Sequence, residues 1–317
     1  MKKLNFIKIS KIILSLLLVI VVAGAVLAGV LGFNKGVELS NGYELTVKVD
    51  VNFGDNKEKI ETETEKVLKE NGVKYDLKKI ADEGSIIIYQ FKEEVTEENT
   101  KAFEDLAVKV EDAVNVILVS TTVDATTAVS EREGFFGTST IWWAILAVGV
   151  TVVLAFIYLL IRYNIFYSLV ACILAVFEVI LLTSLVGLVR IPLAPIFSVV
   201  ALTAVILSFI NTIVLLNGAK EKLRLNKTKS PEEVANELLN GSLPKNGVIA
   251  IVLVVASIVL MIIGGTFTSL AFELLALAVV DFMVNQFAFA PIFLPFERKR
   301  NKDNLLRAKK KELKDKE

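Results

Sequence analysis

Six stretches of this chain, near residues 12–33, 140–161, 165–188, 194–217, 246–264 and 268–295, hold only three charged residues between them, the acids Glu178, Glu273 and Asp281. Each is close to the roughly 20 apolar residues that a helix needs to cross a bilayer core. Backbone groups in lipid have no water to bond, so apolar runs of this length must satisfy them internally, as helices. The pattern predicts six membrane-spanning helices. The first run carries Ala23-Gly24-Ala25 and Ala28-Gly29, which have the small residues of a signal cleavage site. It is longer than a signal h-region, and we read it as a retained helix that tethers the segment after it.

Although 54% of the 317 residues are hydrophobic, 22% are charged, so the charges must be gathered into blocks. The largest block, 34–137, has 13 lysines and arginines against 23 aspartates and glutamates, a net of −10. Such a segment is soluble and has no charge complementarity to nucleic acid or anionic lipid. The other 22 basic residues set the topology: with both termini in the cytoplasm, 21 of them fall on the inside and only Arg190 is left outside. The expected organisation is an N-terminus and first span over 1–33, an extracytoplasmic domain over 34–137, five spans over 138–296 with a cytoplasmic loop at 219–245, and a basic tail over 297–317.

The single cysteine, Cys172, rules out an intrachain disulfide, and the absence of histidine removes Ser-His and Cys-His catalysis and the usual zinc sites. No cofactor, metal or covalent chemistry is expected. Within 34–137 the hydrophobic periodicity predicts a strand at 43–51, a helix at 57–71, strands at 73–80 and 85–91 about the Asp82-Glu83-Gly84 turn, a helix at 97–113 and a strand at 114–123. This β-α-β-β-α-β order is the ferredoxin-like split arrangement, an α+β fold that serves many functions.

A short surface helix is predicted at 231–240, where Ser230 can cap, Pro231 can occupy the first helical position and Glu233 can close a capping box. Three intramembrane acids are costly unless paired or wetted, which makes each a candidate for ion handling. Glu273, Asp281 and Asn285 lie at helical spacing on one face of the sixth span. Asp281 could be neutralised by a hydrogen bond from Asn211 or by Lys245.

The segment Leu202 to Leu243, an apolar helix that runs through Asn217-Gly218-Ala219-Lys220-Glu221 into the capped helix, resembles the fourth span and following cytoplasmic helix of SecF in the SecD/SecF family of protein-export membrane proteins. Gly36-Val37-Glu38-Leu39-Ser40-Asn41-Gly42 is similar to the family segment G-[IL]-D-F-x-G-G, with Glu38 for aspartate and Gly42 retained. Tyr158-Leu159-Leu160-Ile161-Arg162-Tyr163 is similar to YLxxRF, where Arg162 is also an ordinary interfacial anchor. The family pattern G-Y-S-x-N-D-T-V-V-V-F-D-R-I-R-E-N-L falls without gaps on Ile206 to Leu223, with Ser208, Thr212, Val214, Glu221 and Leu223 in agreement. Its intramembrane aspartate is Asn211 here, its D-R pair is Asn217-Gly218, and the arginine of its S-R-T motif is Lys245. An asparagine cannot carry a proton step.

The resemblance implies a six-helix half-transporter of the RND type with a ferredoxin-like domain between its first two spans. It implies a SecF-like subunit that works in the bacterial cytoplasmic membrane with a SecD-like partner beside the SecYEG channel, moving a translocating polypeptide outward with the proton motive force. The ion-coupling candidates are Asp281, Glu178, Glu273, Asn211 and Lys245. Glu38, Gly42, Arg162, Ser208, Asn217 and Glu221 mark the family motifs. A passive assembly subunit, an RND-type exporter of small molecules or lipid, and an intramembrane enzyme stay open as alternatives.

Overall fold

The computed structural model describes residues 5–34, 36, 40–49, 57–81, 85–118, 125–132, 138–193, 196–225, 229–264 and 267–300. The elements in order are α1 (Phe6–Leu31), β1 (Gly42–Val49), α2 (Lys57–Glu70), β2 (Leu77–Ala81), β3 (Ile86–Phe91), α3 (Glu97–Leu118), β4 (Ala125–Arg132), α4 (Thr138–Arg162), α5 (Ile165–Val189), α6 (Phe197–Leu225), α7 (Pro231–Ile263) and α8 (Phe267–Met283). After Met283 the helix winds through a π-helical turn, Val284–Ala288, and runs on to Arg300. The chain forms two compact units, a helical one of α1 and α4–α8 and a smaller α/β one. Among the described residues, six helices are long and apolar enough to cross a membrane.

In the α/β unit the strands lie in the order β2-β3-β1-β4, with every neighbouring pair antiparallel. β1 and β2 therefore run the same way with β3 between them. Strand alternation sends Tyr43, Leu45, Val47 and Val49 of β1 and Ile87, Tyr89 and Phe91 of β3 to one face. There they meet Ile60 and Leu68 of α2 and Phe103, Val110 and Val114 of α3 in one core. Tyr43 stacks on Phe103 at 4.4 Å, and its hydroxyl is held by Thr96 and Thr100. Gly42 is required by close approach: a Cβ there would stand 1.9 Å from the Phe91 carbonyl oxygen.

The expected strand at 114–123 is a correction. α3 continues to Leu118, and the last strand is Ala125–Arg132. Val114 and Leu118 extend the buried stripe of Phe103, Leu106, Ala107 and Val110 at helical spacing, so packing on the sheet overrides the β-branched character of the run.

In the helical unit, half or more of the apolar stretches of α5 and α6 is buried, against 6% for α4 and 11% for α7, so α5, α6 and α8 form the interior while α4 and α7 turn apolar surface outward. Gly24 lets α1 pack onto α5, since a Cβ there would lie 2.2 Å from the Ser184 carbonyl oxygen. At one end of α1, Asn236 accepts from the Phe6 amide at 2.8 Å. At the other, Arg190 caps α5 in the left-handed conformation and donates to the Gly32 carbonyl, while Asn34 donates to the Arg190 carbonyl at 2.8 Å. The one basic residue that the charge rule leaves outside is thus bound at a helix C-terminus, where a cation is favoured.

The capping box forms as expected, with reciprocal bonds between Ser230 and Glu233 of 3.1 and 3.2 Å. The separate surface helix does not: residues 231–240 and the fifth span are one helix of 33 residues with Pro244 inside it. α6 also runs on to Leu225, so the expected loop at 219–245 is mostly helix. Proline disturbs the hydrogen bonding of the turn before it. Gln286 of the π turn donates to the Leu239 carbonyl at 2.9 Å and accepts from Asn246 at 3.2 Å, tying this part of α7 to the last helix.

Candidate functional site

α5, α6 and the π-containing helix each bring polar side chains to one interior point. Glu178 comes from α5, Ser208, Asn211 and Thr212 from α6, and Asp281 and Asn285 from α8 and the π turn; each is at most 1% exposed. Their spacing on α6, i, i+3 and i+4, is what puts three polar groups on one face of an otherwise apolar helix.

Asp281 is the hub. Its Oδ1 accepts from Asn211 Nδ2 at 3.2 Å and from Asn285 Nδ2 at 2.8 Å. Asn285 Nδ2 also reaches the Asp281 carbonyl, at 2.9 Å, an i, i+4 contact next to the π turn. π turns inside α-helices recur at functional sites because they break the regular ladder and re-aim side chains. Glu178 lies against Asp281 and Ser208. These are electrostatic neighbours, and neither Glu178 oxygen meets hydrogen-bond geometry with a partner among the described residues.

Acceptors outnumber donors in this cluster. Both oxygens of Glu178, Oδ2 of Asp281, and the amide oxygens of Asn211 and Asn285 are buried without a donor, beside the hydroxyls of Ser208 and Thr212. Buried polar atoms without partners are few in native proteins and call for an explanation. Two carboxyls side by side in a low-dielectric interior repel when both are ionised. A proton on one of them supplies the missing donor, because a protonated carboxyl donates where a carboxylate only accepts. The arrangement is suited to holding a proton.

The other candidates are placed elsewhere. Glu273 is buried on α8 two turns before Asp281, about 12 Å along the axis at 1.5 Å per residue. Lys245 is exposed on α7, and the described ion pairs do not join it to Asp281. Arg162 is exposed, donates to the Tyr158 hydroxyl at 2.7 Å and lies over the Tyr163 ring; Asn217 accepts from the Tyr163 hydroxyl at 2.6 Å. Glu221 is exposed on α6. Glu38 lies outside the described residues.

Three residues that pattern reading passed over also hold buried polar positions. Gln286 and Asn246 tie the π turn to α7, and Glu297 is 1% exposed near the end of the last helix.

The family model for protein export membrane protein SecD/SecF, C-terminal, matches residues 87–299. No curated protein matches the chain in sequence. Among solved structures, a crystal structure of SecDF in a super-membrane-facing form matches with a TM-score of 0.69 and 15% identity, over 97% of this chain and 40% of that one. A crystal structure of SecDF, a translocon-associated membrane protein from Thermus thermophilus, matches with a TM-score of 0.61 and 16% identity, over 93% of this chain and 39% of that one. The chain therefore spans about two fifths of the SecDF chains whose fold it shares. With the family model covering most of its length and six apolar helices in the SecDF arrangement, this multi-pass membrane protein belongs to the SecD/SecF family of protein-export membrane proteins.

Proposed function

We propose that the chain is a SecF-type subunit of the Sec protein-export machinery in the bacterial cytoplasmic membrane, and that it couples polypeptide movement to the proton motive force through Glu178 and Asp281. The observation that carries this reading is the buried carboxyl pair with its excess of acceptors. The TM4-type aspartate of the family is Asn211 here, and the acid on α8 stands directly across from it. One titratable group thus remains at the same contact, contributed by the opposite helix.

In this reading the α/β unit is ferredoxin-like and extracytoplasmic, supported by its strand order and by the distribution of basic residues. Both termini are cytoplasmic. A SecD-like subunit supplies the second half and packs against outward-facing apolar surface, and the pair works beside the SecYEG channel on emerging polypeptide. The test is export in cells or vesicles with a controlled proton motive force. Asp281→Asn and Glu178→Gln each remove a titrating group with little change of shape, and each is expected to abolish the stimulation of export by the proton gradient while the subunit still assembles. Normal stimulation in both variants overturns the reading. That result would favour a passive assembly subunit, the alternative that Asn211 supports.

A further inference from the structure

Beyond Asp281, every fourth residue of the last helix is buried: Asn285, Phe289, Phe293 and Glu297 are at most 1% exposed. In an uninterrupted α-helix each step of four advances about 40°, so Glu297 would stand about 160° around the axis from Asp281, nearly on the opposite face. The wider π turn at Val284–Ala288 winds less per residue and takes up part of that rotation. The result is one interior stripe with an acid at each end and two aromatic rings between.

The facing helix carries a matching stripe. Tyr167 and Glu178 on α5 are eleven residues apart, close to three whole turns, and both are buried. Phe289 and Phe293 stack at 5.1 Å with ring planes 11° apart, and Phe293 packs on Tyr167 at 6.0 Å. Past these rings, Glu297 pairs with Arg300, whose guanidinium lies 4.9 Å over the Tyr167 ring. The Tyr167 hydroxyl is beside the Glu297 carboxylate, yet among the described residues that hydroxyl and Glu297 Oε2 both lack hydrogen-bond geometry with a partner. A charged side chain at the end of a spanning helix ordinarily extends to water. Glu297 is instead buried.

We propose that Glu297 is the second proton-binding group of the path that begins at Asp281, its port at the C-terminal end of the last helix, and that Phe289 and Phe293 form a hydrophobic gate between the two acids. This rests on the proton-coupling role given above to Asp281 and Glu178. Sixteen residues separate the acids, about 24 Å at α-helical rise, so direct transfer is impossible and water must enter between the rings. Closed rings keep the stretch dry, which is how apolar constrictions gate. When they part, the O–H bond of the Asp281 carboxyl breaks and a proton passes along water to the Glu297 carboxylate. Glu297 then releases Arg300, gives the proton to bulk water and re-forms the ion pair. Only O–H bonds are made and broken.

The test uses sealed membrane vesicles from cells producing the full chain, with an internal pH dye and an imposed pH step. Phe289→Ala is expected to raise proton leak severalfold over wild type, and Phe293→Ala serves the same purpose should the first variant fail to insert. Adding Glu297→Gln should abolish that leak, while Glu297→Asp should retain it and shift its pH profile. Adding Asp281→Asn should also abolish it. If the leak survives Glu297→Gln but not Asp281→Asn, Glu297 is only a structural clamp and the coupling role of Asp281 stands. If it survives Asp281→Asn, that role itself fails. Absence of leak in correctly inserted Phe289→Ala and Phe293→Ala vesicles overturns the gate.

Discussion

The Asn211 side-chain amide donates to the Asp281 carboxylate across 3.2 Å, joining α6 to α8 in the interior of the helical unit. An amide and an acid thus share a contact that either helix could supply. Exchanging them, Asn211→Asp with Asp281→Asn, keeps one donor and one acid in the same volume, so the double variant is expected to retain much of the proton-dependent export that Asp281→Asn alone loses. Asn211→Asp alone removes the donor and adds a third carboxyl beside Glu178 and Asp281. Leaving a buried acceptor unsatisfied costs about 1–3 kcal/mol, so this single variant should melt measurably lower in detergent than the exchanged pair. Equal melting of the two would show that Asn211 does not serve Asp281.

How far this contact could be read in advance differs from residue to residue. The spans were legible because their runs exclude charge almost completely, and the Ser230–Glu233 box because capping is local. Asp281 and Asn211 stood out as polar groups in apolar helices, and the bond between them was one of two partners that the residues allowed. The approach of Glu178 to Asp281 was not legible, because it depends on how α5 packs against α8, and no local period encodes that. The bond from Gln286 to the Leu239 carbonyl was not legible either, because it joins two helices far apart in sequence. Glu297 was hidden because it opens a basic segment that reads as a solvated tail. Its burial follows from a π turn that no residue type announces.

Gly24 and Gly29 lie on the same helix but meet different surroundings, which makes them a matched test of α1 docking. A methyl group at Gly24 must displace the Ser184 backbone, whereas one at Gly29 has nothing within 4 Å. Overpacking of this kind typically costs about 1–3 kcal/mol. Gly24→Ala should therefore lower the melting temperature of the full chain and raise hydrogen exchange along α1, while Gly29→Ala should change neither for the worse. A neutral Gly24→Ala would mean that α1 is loosely held.

The α/β unit carries its own pH dependence. Lys78, bonded at 2.9 Å, holds the Glu65 carboxyl below its ordinary value of 4.5; burial opposes this and the Tyr75 hydroxyl assists. A lowered carboxyl contributes stability that is whole above 4.5 and lost as pH falls through the folded value. For Lys78, burial pulls downward, but the bonds to Glu65 and Glu61 outweigh it and leave the ammonium above 10.5, so its contribution is whole below 10.5 and lost at higher pH. Glu65 is 37% exposed, and solvent screening keeps its share at no more than about 1 kcal/mol. Hydrogen exchange of α2 and β2 in the full chain should rise as pH is taken from 5 toward 3, after correction for the intrinsic rate. Glu65→Gln should flatten that rise, and an unchanged profile would assign the acid sensitivity to other carboxyls.

The membrane topology is the last and most general expectation, because every directional statement about coupling depends on it. Of the 22 basic residues outside 34–137, all but Arg190 fall on one side of a six-span arrangement, and Arg190 has its own local partner in the Gly32 carbonyl. Positive charge within short loops is retained on the cytoplasmic side during insertion, so the bias predicts an external α/β unit. In a Cys172→Ala background, Lys57→Cys should react with an impermeant maleimide added outside intact spheroplasts, and Lys227→Cys should react only after the membrane is opened. Labelling of both from the same face would require an even number of spans between them, where the six-span arrangement has three, and the proposed direction of proton flow would have to be reversed or abandoned.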